Sequence, residues 1–260
     1  MEGKDFFKKW NSIGSSVIGA SHEKRGLENQ DSVSTNEHII AVSDGHGGPR
    51  YTRSALGAFF ATTIITEVCE DAIIKDAEDL DGIKHLKARF LHLWQKAVEV
   101  HLEEYPEIDN EGNEPQIYGC TFLCAIAYPN LVLILTHGDG DILGVYENEV
   151  RDLTIQNEKN FGGATLSLAS LKDSSEISHK VLVGDEIPSL IVLSTDGVKN
   201  SYDDTDKEDL AQFYKIPLAI KKSLEEEGAE KAEEKIKSLL EMITKEGSGD
   251  DVTIAVLYNV

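Results

Sequence analysis

Four continuous apolar runs stand out along the chain, and each is joined to aspartate and glycine. Ile39-Ile40-Ala41-Val42 runs into Ser43-Asp44-Gly45-His46-Gly47-Gly48, and Leu131 to Leu135 runs into Thr136-His137-Gly138-Asp139-Gly140. Leu190 to Leu193 runs into Ser194-Thr195-Asp196-Gly197, whereas Gly247-Ser248-Gly249-Asp250-Asp251 precedes the run Val252 to Tyr258. Short apolar runs bounded by turn residues predict buried strands. One Asp-Gly after a strand is an ordinary turn. Four strands so joined, if they lie side by side, bring several carboxylates to one place. Carboxylates that close repel one another, and a multivalent cation resolves the repulsion.

Helical spacing follows Pro49, with apolar residues at Leu56, Phe59, Phe60, Ile64, Ile65 and Val68. A second helix is predicted from about Leu80 to Tyr105, and a third from about Leu218 to Lys245, striped by Ile236, Leu239, Leu240 and Ile243. Residues 118–150 read as a meander with a turn at Pro129-Asn130. Val17 to Ala20 reads as a short strand, and Ser21 to Asp31 as a charged loop. The cluster Asp203-Asp204-Thr205-Asp206 suits a helix start. Residues 151–189 are mixed and polar, include Gly162-Gly163, and are expected to form a cap or flap near the acidic site. Asp109-Asn110-Glu111-Gly112 lies in an acidic turn that lacks the spacing of an EF-hand loop. With no internal repeat or long linker, the expectation is one α+β domain over residues 1–260.

Composition narrows the partners. The 25 basic and 47 acidic residues give a net charge of −22. That disfavours nucleic acid and anionic membranes, both of which are bound through positive charge. No run approaches the roughly 18–20 apolar residues of a membrane span, and the first residues lack the apolar stretch of a signal peptide. Three cysteines suit a reducing cytoplasm. Cys120 and Cys124 have no second Cys/His pair to complete a zinc spacing, and are read as small buried hydrophobes.

In order, Asn29-Gln30-Asp31, Asp44-Gly45-His46-Gly47-Gly48, Gly119-Cys120-Thr121, Gly138-Asp139-Gly140, Asp196-Gly197 and Gly249-Asp250-Asp251-Val252-Thr253 resemble the metal-dependent protein phosphatases of the PP2C (PPM) family. The form Ser21-His22-x-x-x-Gly26-x-x-Asn29-Gln30-Asp31 is similar to that family's compact bacterial branch. The resemblance covers residues 17–258 and implies a four-layer α-β-β-α sandwich, two antiparallel sheets flanked by helices. It implies a serine/threonine phosphatase, a monomer, that hydrolyses phosphomonoesters of phosphoproteins by attack of a water activated between two Mn2+ or Mg2+ ions. Asp44 would bridge the ions, the Gly45 carbonyl would bind one, and Asp196 and Asp250 the other. Asp139 matches a weak third site. Asp31 would orient the attacking water, and His46 would protonate the leaving alkoxide.

The donor chemistry agrees, since an all-oxygen set selects hard divalent ions over zinc. The unperturbed histidine pKa near 6.5 suits acid catalysis, although His46 could also serve only as a hydrogen-bonding turn residue. Three departures from the family pattern are visible. Arg25, the candidate phosphate-binding residue, lies six rather than five residues before Asp31. Gln30 stands where animal relatives carry glutamate, and Asn200 where some relatives carry a further aspartate. The arginine register and Asn200 motivate an alternative, a PP2C-like phosphoprotein-binding regulator with little or no turnover; a phosphatase for small phosphate esters is a third reading. His137 is read as a structural strand end, and His22 has no assigned role.

Overall fold

The structure, a computed structural model, describes residues 10–106, 114–155 and 166–259. Strands β1 (Asn11–Val17), β2 (Ser32–Asn36), β3 (Ile39–Ser43), β4 (Phe122–Ala127), β5 (Leu131–His137), β6 (Asp141–Tyr146), β7 (Glu149–Asp152), β8 (Ser178–Val183), β9 (Leu190–Ser194) and β10 (Val252–Tyr258) form two sheets. Their orders are β1-β10-β9-β6-β7 and β2-β3-β4-β5-β8, and every pairing between them is antiparallel.

Side-chain alternation builds the layers. Ile40 and Val42 of β3 face Ile191 and Leu193 of β9 and Ala255 and Leu257 of β10 across the space between the sheets. The opposite face of β3, Ile39 and Ala41, packs with Ile65, Phe90 and Trp94 from helices α2 (Ser54–Asp71) and α3 (Leu80–Glu104). On the other side Val192 and Val256 meet Ile220 and Ile236 from α6 (Ile216–Glu227) and α7 (Ala229–Glu246). Both faces of the central strands are therefore buried, which is why they read as unbroken apolar runs. Trp94 also donates its indole N–H to the Gly57 carbonyl at 3.0 Å, tying α3 to α2. The four-layer sandwich is the expected one.

Local differences have physical causes. The first strand starts at Asn11, not Val17, because its pairing with β10 supplies what its serines and glycine do not. Residues 20–25 form helix α1 (Ala20–Arg25) where a loop was expected. The predicted 218–245 helix is two helices, broken at Gly228, whose φ of 86° only glycine adopts readily. Helix α4 (Asp196–Lys199) follows β9, and α5 (Lys207–Phe213) starts as expected at Asp206, whose carboxylate caps Glu208 N and Asp209 N. Within the expected flap, residues 178–183 are strand β8, paired with β5, while Gly162 and Gly163 lie outside the described residues, as does the Asp109–Gly112 turn. Cys120 and Cys124 are buried, as expected.

Candidate active site

The strand ends converge on one cleft of about 1290 Å³, whose wall includes Asp44, Gly45, His46, Asp139, Asp196 and Asp250. Asp44 leaves the end of β3 in one sheet, and Asp196 opens α4 just after β9 in the other. Sheet packing thus brings together residues 152 positions apart in sequence. The Asp44 turn is clamped from β4's approach: Thr121 N donates to Asp44 O at 2.8 Å, Asp44 N to Thr121 Oγ1 at 3.0 Å, and His46 N to Gly119 O at 3.0 Å. This is the structural content of the Gly119-Cys120-Thr121 motif. Gly45 is required by close approach, since a Cβ there would lie 2.6 Å from the Gln30 carbonyl oxygen and 2.8 Å from the Ser54 backbone.

Electrostatics show what the cleft lacks without a cation. Asp44 is incompletely covered against solvent but stands in a densely packed recess. Desolvation first, and then the charges of Asp31, Asp196 and Asp250, push its carboxyl well above the usual range. Asp196 beside it favours the protonated form of Asp44, and the reciprocal contact favours the charged form of Asp196. Asp196 is raised by burial and by Asp139 and Asp250, against the hydrogen bonds from Asp44 and Asn200 that lower it. Asn200 Nδ2 donates to Asp196 Oδ2 at 3.0 Å, where a further carboxylate would have added repulsion.

Among the described residues no three His, Cys, Asp or Glu side chains stand close enough to enclose an ion alone. The oxygen donors fit hard dications, which accept carbonyl and water oxygens beside carboxylates. Such an ion relieves the repulsion that raises these crowded carboxyls.

Asp31 lies behind the cleft rather than on its wall. Its Oδ2 accepts from Thr195 Oγ1 and Thr253 Oγ1, both at 2.7 Å. Burial raises its carboxyl well above the normal range, these two hydrogen bonds oppose the rise, and Asp251 and Asp250 add to it. His46 meets the Tyr51 ring edge-on at a centroid distance of 5.1 Å. Among the described residues its Nε2 is buried with no hydrogen-bond partner. Desolvation lowers its pKa, Asp139 opposes this and His137 reinforces it, so the free protein holds His46 mainly neutral at pH 7. Arg25 ends α1 on the cleft wall, with its Nε donating to Ser21 O at 3.1 Å. His137 is buried at its strand end, with Nδ1 3.3 Å from Glu176 O.

Sequence reading missed three contributors. The Thr195–Thr253 cradle of Asp31 was unread, although both threonines flank the aspartate motifs. Asp251, beside the expected ligand, is buried and turned inward to the backbone N–H groups of Gly19 and Gln30, at 2.6 Å each. Lys199 Nζ meets buried Asp141 Oδ1 at 2.7 Å, a pair with no sequence signal. Cys120, next to the clamp, is no nucleophile, because burial pushes its thiol up to about 12.

Two antiparallel sheets between helix layers, with acidic strand ends meeting in one cleft, define a scaffold built to concentrate carboxylates. Residues 18–241 match the sequence family described as protein phosphatase 2C, and the chain belongs to that family. Protein phosphatase ppm-1.A of Caenorhabditis elegans is 22% identical over 272 residues, covering 91% of this chain and 55% of that protein. The chain thus spans about half the length of this curated relative. Among solved structures, the catalytic domain of the serine/threonine phosphatase PstP in complex with two manganese ions superposes with a TM-score of 0.63 at 17% identity, covering 96% of this chain and 97% of that one. PppA, a regulatory component of the type VI secretion system of Pseudomonas aeruginosa, gives a TM-score of 0.65 at 14% identity, covering 96% and 98%. At these identities the superpositions establish the shared fold.

Proposed function

We propose that the chain is a Mn2+- or Mg2+-dependent serine/threonine phosphatase acting on phosphoproteins. The observation that carries this reading is the convergence of Asp44, Asp139, Asp196 and Asp250 on one open cleft, where burial and mutual repulsion raise the Asp44 and Asp196 carboxyls. The relative solved with two manganese ions supports the same metal class. Asp44, the Gly45 carbonyl, Asp196 and Asp250 would hold two ions, with Asp139 placed for a weaker third. Such ions supply charge neutralisation for the phosphoryl oxygens and acidify a water for in-line attack.

The chain's own residues then divide the remaining work. Asp31, fixed by Thr195 and Thr253, sets the polarity beneath the cleft and positions the attacking water. Arg25, at the rim, binds the phosphate. His46 is mainly neutral in the free protein, and the arriving phosphate dianion raises its pKa. That charged ring, with Nε2 unpaired, is then placed to protonate the leaving serine or threonine oxygen. Retention of the four core aspartates and His46 favours turnover over a purely binding role. Residues 1–260 act as one catalytic domain in this reading, monomeric and cytoplasmic. Among the described residues no helix is long and apolar enough to cross a membrane.

Hydrolysis of p-nitrophenyl phosphate and of a phosphothreonine peptide tests the proposal. EDTA should abolish both activities and Mn2+ should restore them. EDTA-insensitive hydrolysis would overturn the metal-dependent reading, and phosphopeptide binding without any turnover would turn it into the regulator.

A further inference from the structure

Asp196 opens α4 and Asp250 precedes β10, and hydroxyl groups tie the two segments together. Ser248 Oγ donates at 3.0 Å to the carbonyl of Gly197, the residue after Asp196, and accepts from the Asp250 backbone N–H at 3.3 Å. One hydroxyl thus spans the two ligand-bearing segments. Ser201 Oγ reinforces it, donating to the same Gly197 carbonyl at 2.8 Å and accepting from Ser248 N at 3.3 Å. A carbonyl oxygen has two lone pairs, so both hydroxyl protons can go to Gly197. Glycine permits this closeness, because a Cβ at Gly197 would collide with the Asp251 carbonyl oxygen. Asp250 is held from its other side by buried Thr244 of α7. That residue's Oγ1 donates to the Asp250 carbonyl at 2.8 Å and accepts from Ala20 N at 2.9 Å.

The Asp250 side chain itself is lightly held. It is 52% exposed, accepts from Asp251 N at 3.0 Å and approaches His22 Nε2 only to 3.8 Å, beyond hydrogen-bond reach. Its place relative to Asp196 is therefore set through the backbone, and the hydroxyls of Ser248 and Thr244 hold that backbone. We propose that Ser248 is a positioning residue for the ion that Asp196 and Asp250 share, fixing the separation of the two carboxylates from behind. Thr244 is its counterpart on the Asp250 carbonyl. The inference rests on the metal-dependent reading above. The competing role is a direct one, since Ser248 lies on the cleft wall. Thr244 separates the two, because at 2% exposure it is enclosed behind the cleft and acts only through Asp250.

Calorimetry of Mn2+ binding to the full chain tests this, because hydrogen bonds that orient ligands are typically worth about 10–100-fold in metal affinity. Affinity should fall about 10-fold in Ser248→Ala and return in Ser248→Thr, which keeps the hydroxyl. It should also fall in Thr244→Val, which keeps the branched shape and loses the hydroxyl. Thermal melting of each metal-free variant reports the fold separately. Folded Ser248→Ala or Thr244→Val with wild-type affinity would overturn the inference, whatever its melting temperature, and leave these hydroxyls a purely structural role. Ser248→Thr as weak as Ser248→Ala would overturn it too. Should one of the two hydroxyl-deleted variants fail to fold, the other decides. A wild-type protein that binds no Mn2+ would remove the metal-dependent reading as well, so the two failures are distinguishable.

Discussion

Asp44 follows β3 of one sheet and Asp196 follows β9 of the other, yet both line one cleft and each perturbs the protonation of the other. Burial raises both carboxyls, with Asp31 and Asp250 adding to the rise at Asp44 and Asp139 and Asp250 at Asp196. Several consequences of that arrangement can be measured.

Asp44→Asn should remove the bridging carboxylate while keeping the shape of the turn. Phosphatase activity should fall by more than about 100-fold, and Asp250→Asn should behave alike. Circular dichroism should show both variants folded. Undiminished turnover in either variant would refute the assigned ligands.

The raised carboxyls make the metal-free protein sensitive to pH. Unfolded aspartate titrates near 3.9, whereas folded Asp31 and Asp44 titrate well above their normal range. Their contribution to stability is therefore fully present below about pH 4 and is lost as pH rises through the folded values. Metal-free Asp44→Asn lacks one of these groups, so its melting temperature should exceed that of the metal-free wild type by a margin that widens as pH rises above about 4 and levels off beyond the folded value. Mn2+ should stabilise the wild type and close the margin. A melting-temperature difference between the two metal-free proteins that does not change with pH would contradict the account.

Among the described residues, Arg25 is the arginine or lysine that lines the cleft, which makes it the candidate to bind an incoming phosphate. Arg25→Ala should raise KM for a phosphopeptide roughly 10-fold, the size of a charge-assisted hydrogen bond, with a smaller effect on kcat. Steady-state kinetics separate the two. An unchanged KM would assign phosphate binding elsewhere.

Asp141 opens β6 with its side chain buried, and Lys199 answers its charge. Burial raises the Asp141 carboxyl, and the hydrogen bond and charge of Lys199 hold it down. Lys199→Met leaves that carboxyl without its cation and should destabilise the fold by about 2 kcal/mol in urea titration at neutral pH. This lies below the 3–5 kcal/mol of a fully enclosed pair because the lysine is partly in water. Asp141→Asn in the same background should recover much of the loss.

Pattern alone determined the strands Ile39–Ser43, Leu190–Ser194 and Val252–Tyr258, since burial on both faces leaves an unbroken apolar signature, and α3, whose stripe is regular. The same runs marked Asp44, Asp196 and Asp250 as their acidic ends. What pattern could not carry was anything decided by a partner distant in sequence. Asn11–Val17 is a strand because β10 is there to pair with it, and its serines say nothing of that. His22 and Asp251 are 229 positions apart, so their 2.9 Å contact exists only once β10 has closed against the first strand and α1. Local periodicity is written residue by residue, whereas the proximity of charges depends on how the two sheets stack, and so the cleft's electrostatics belonged to the tertiary structure.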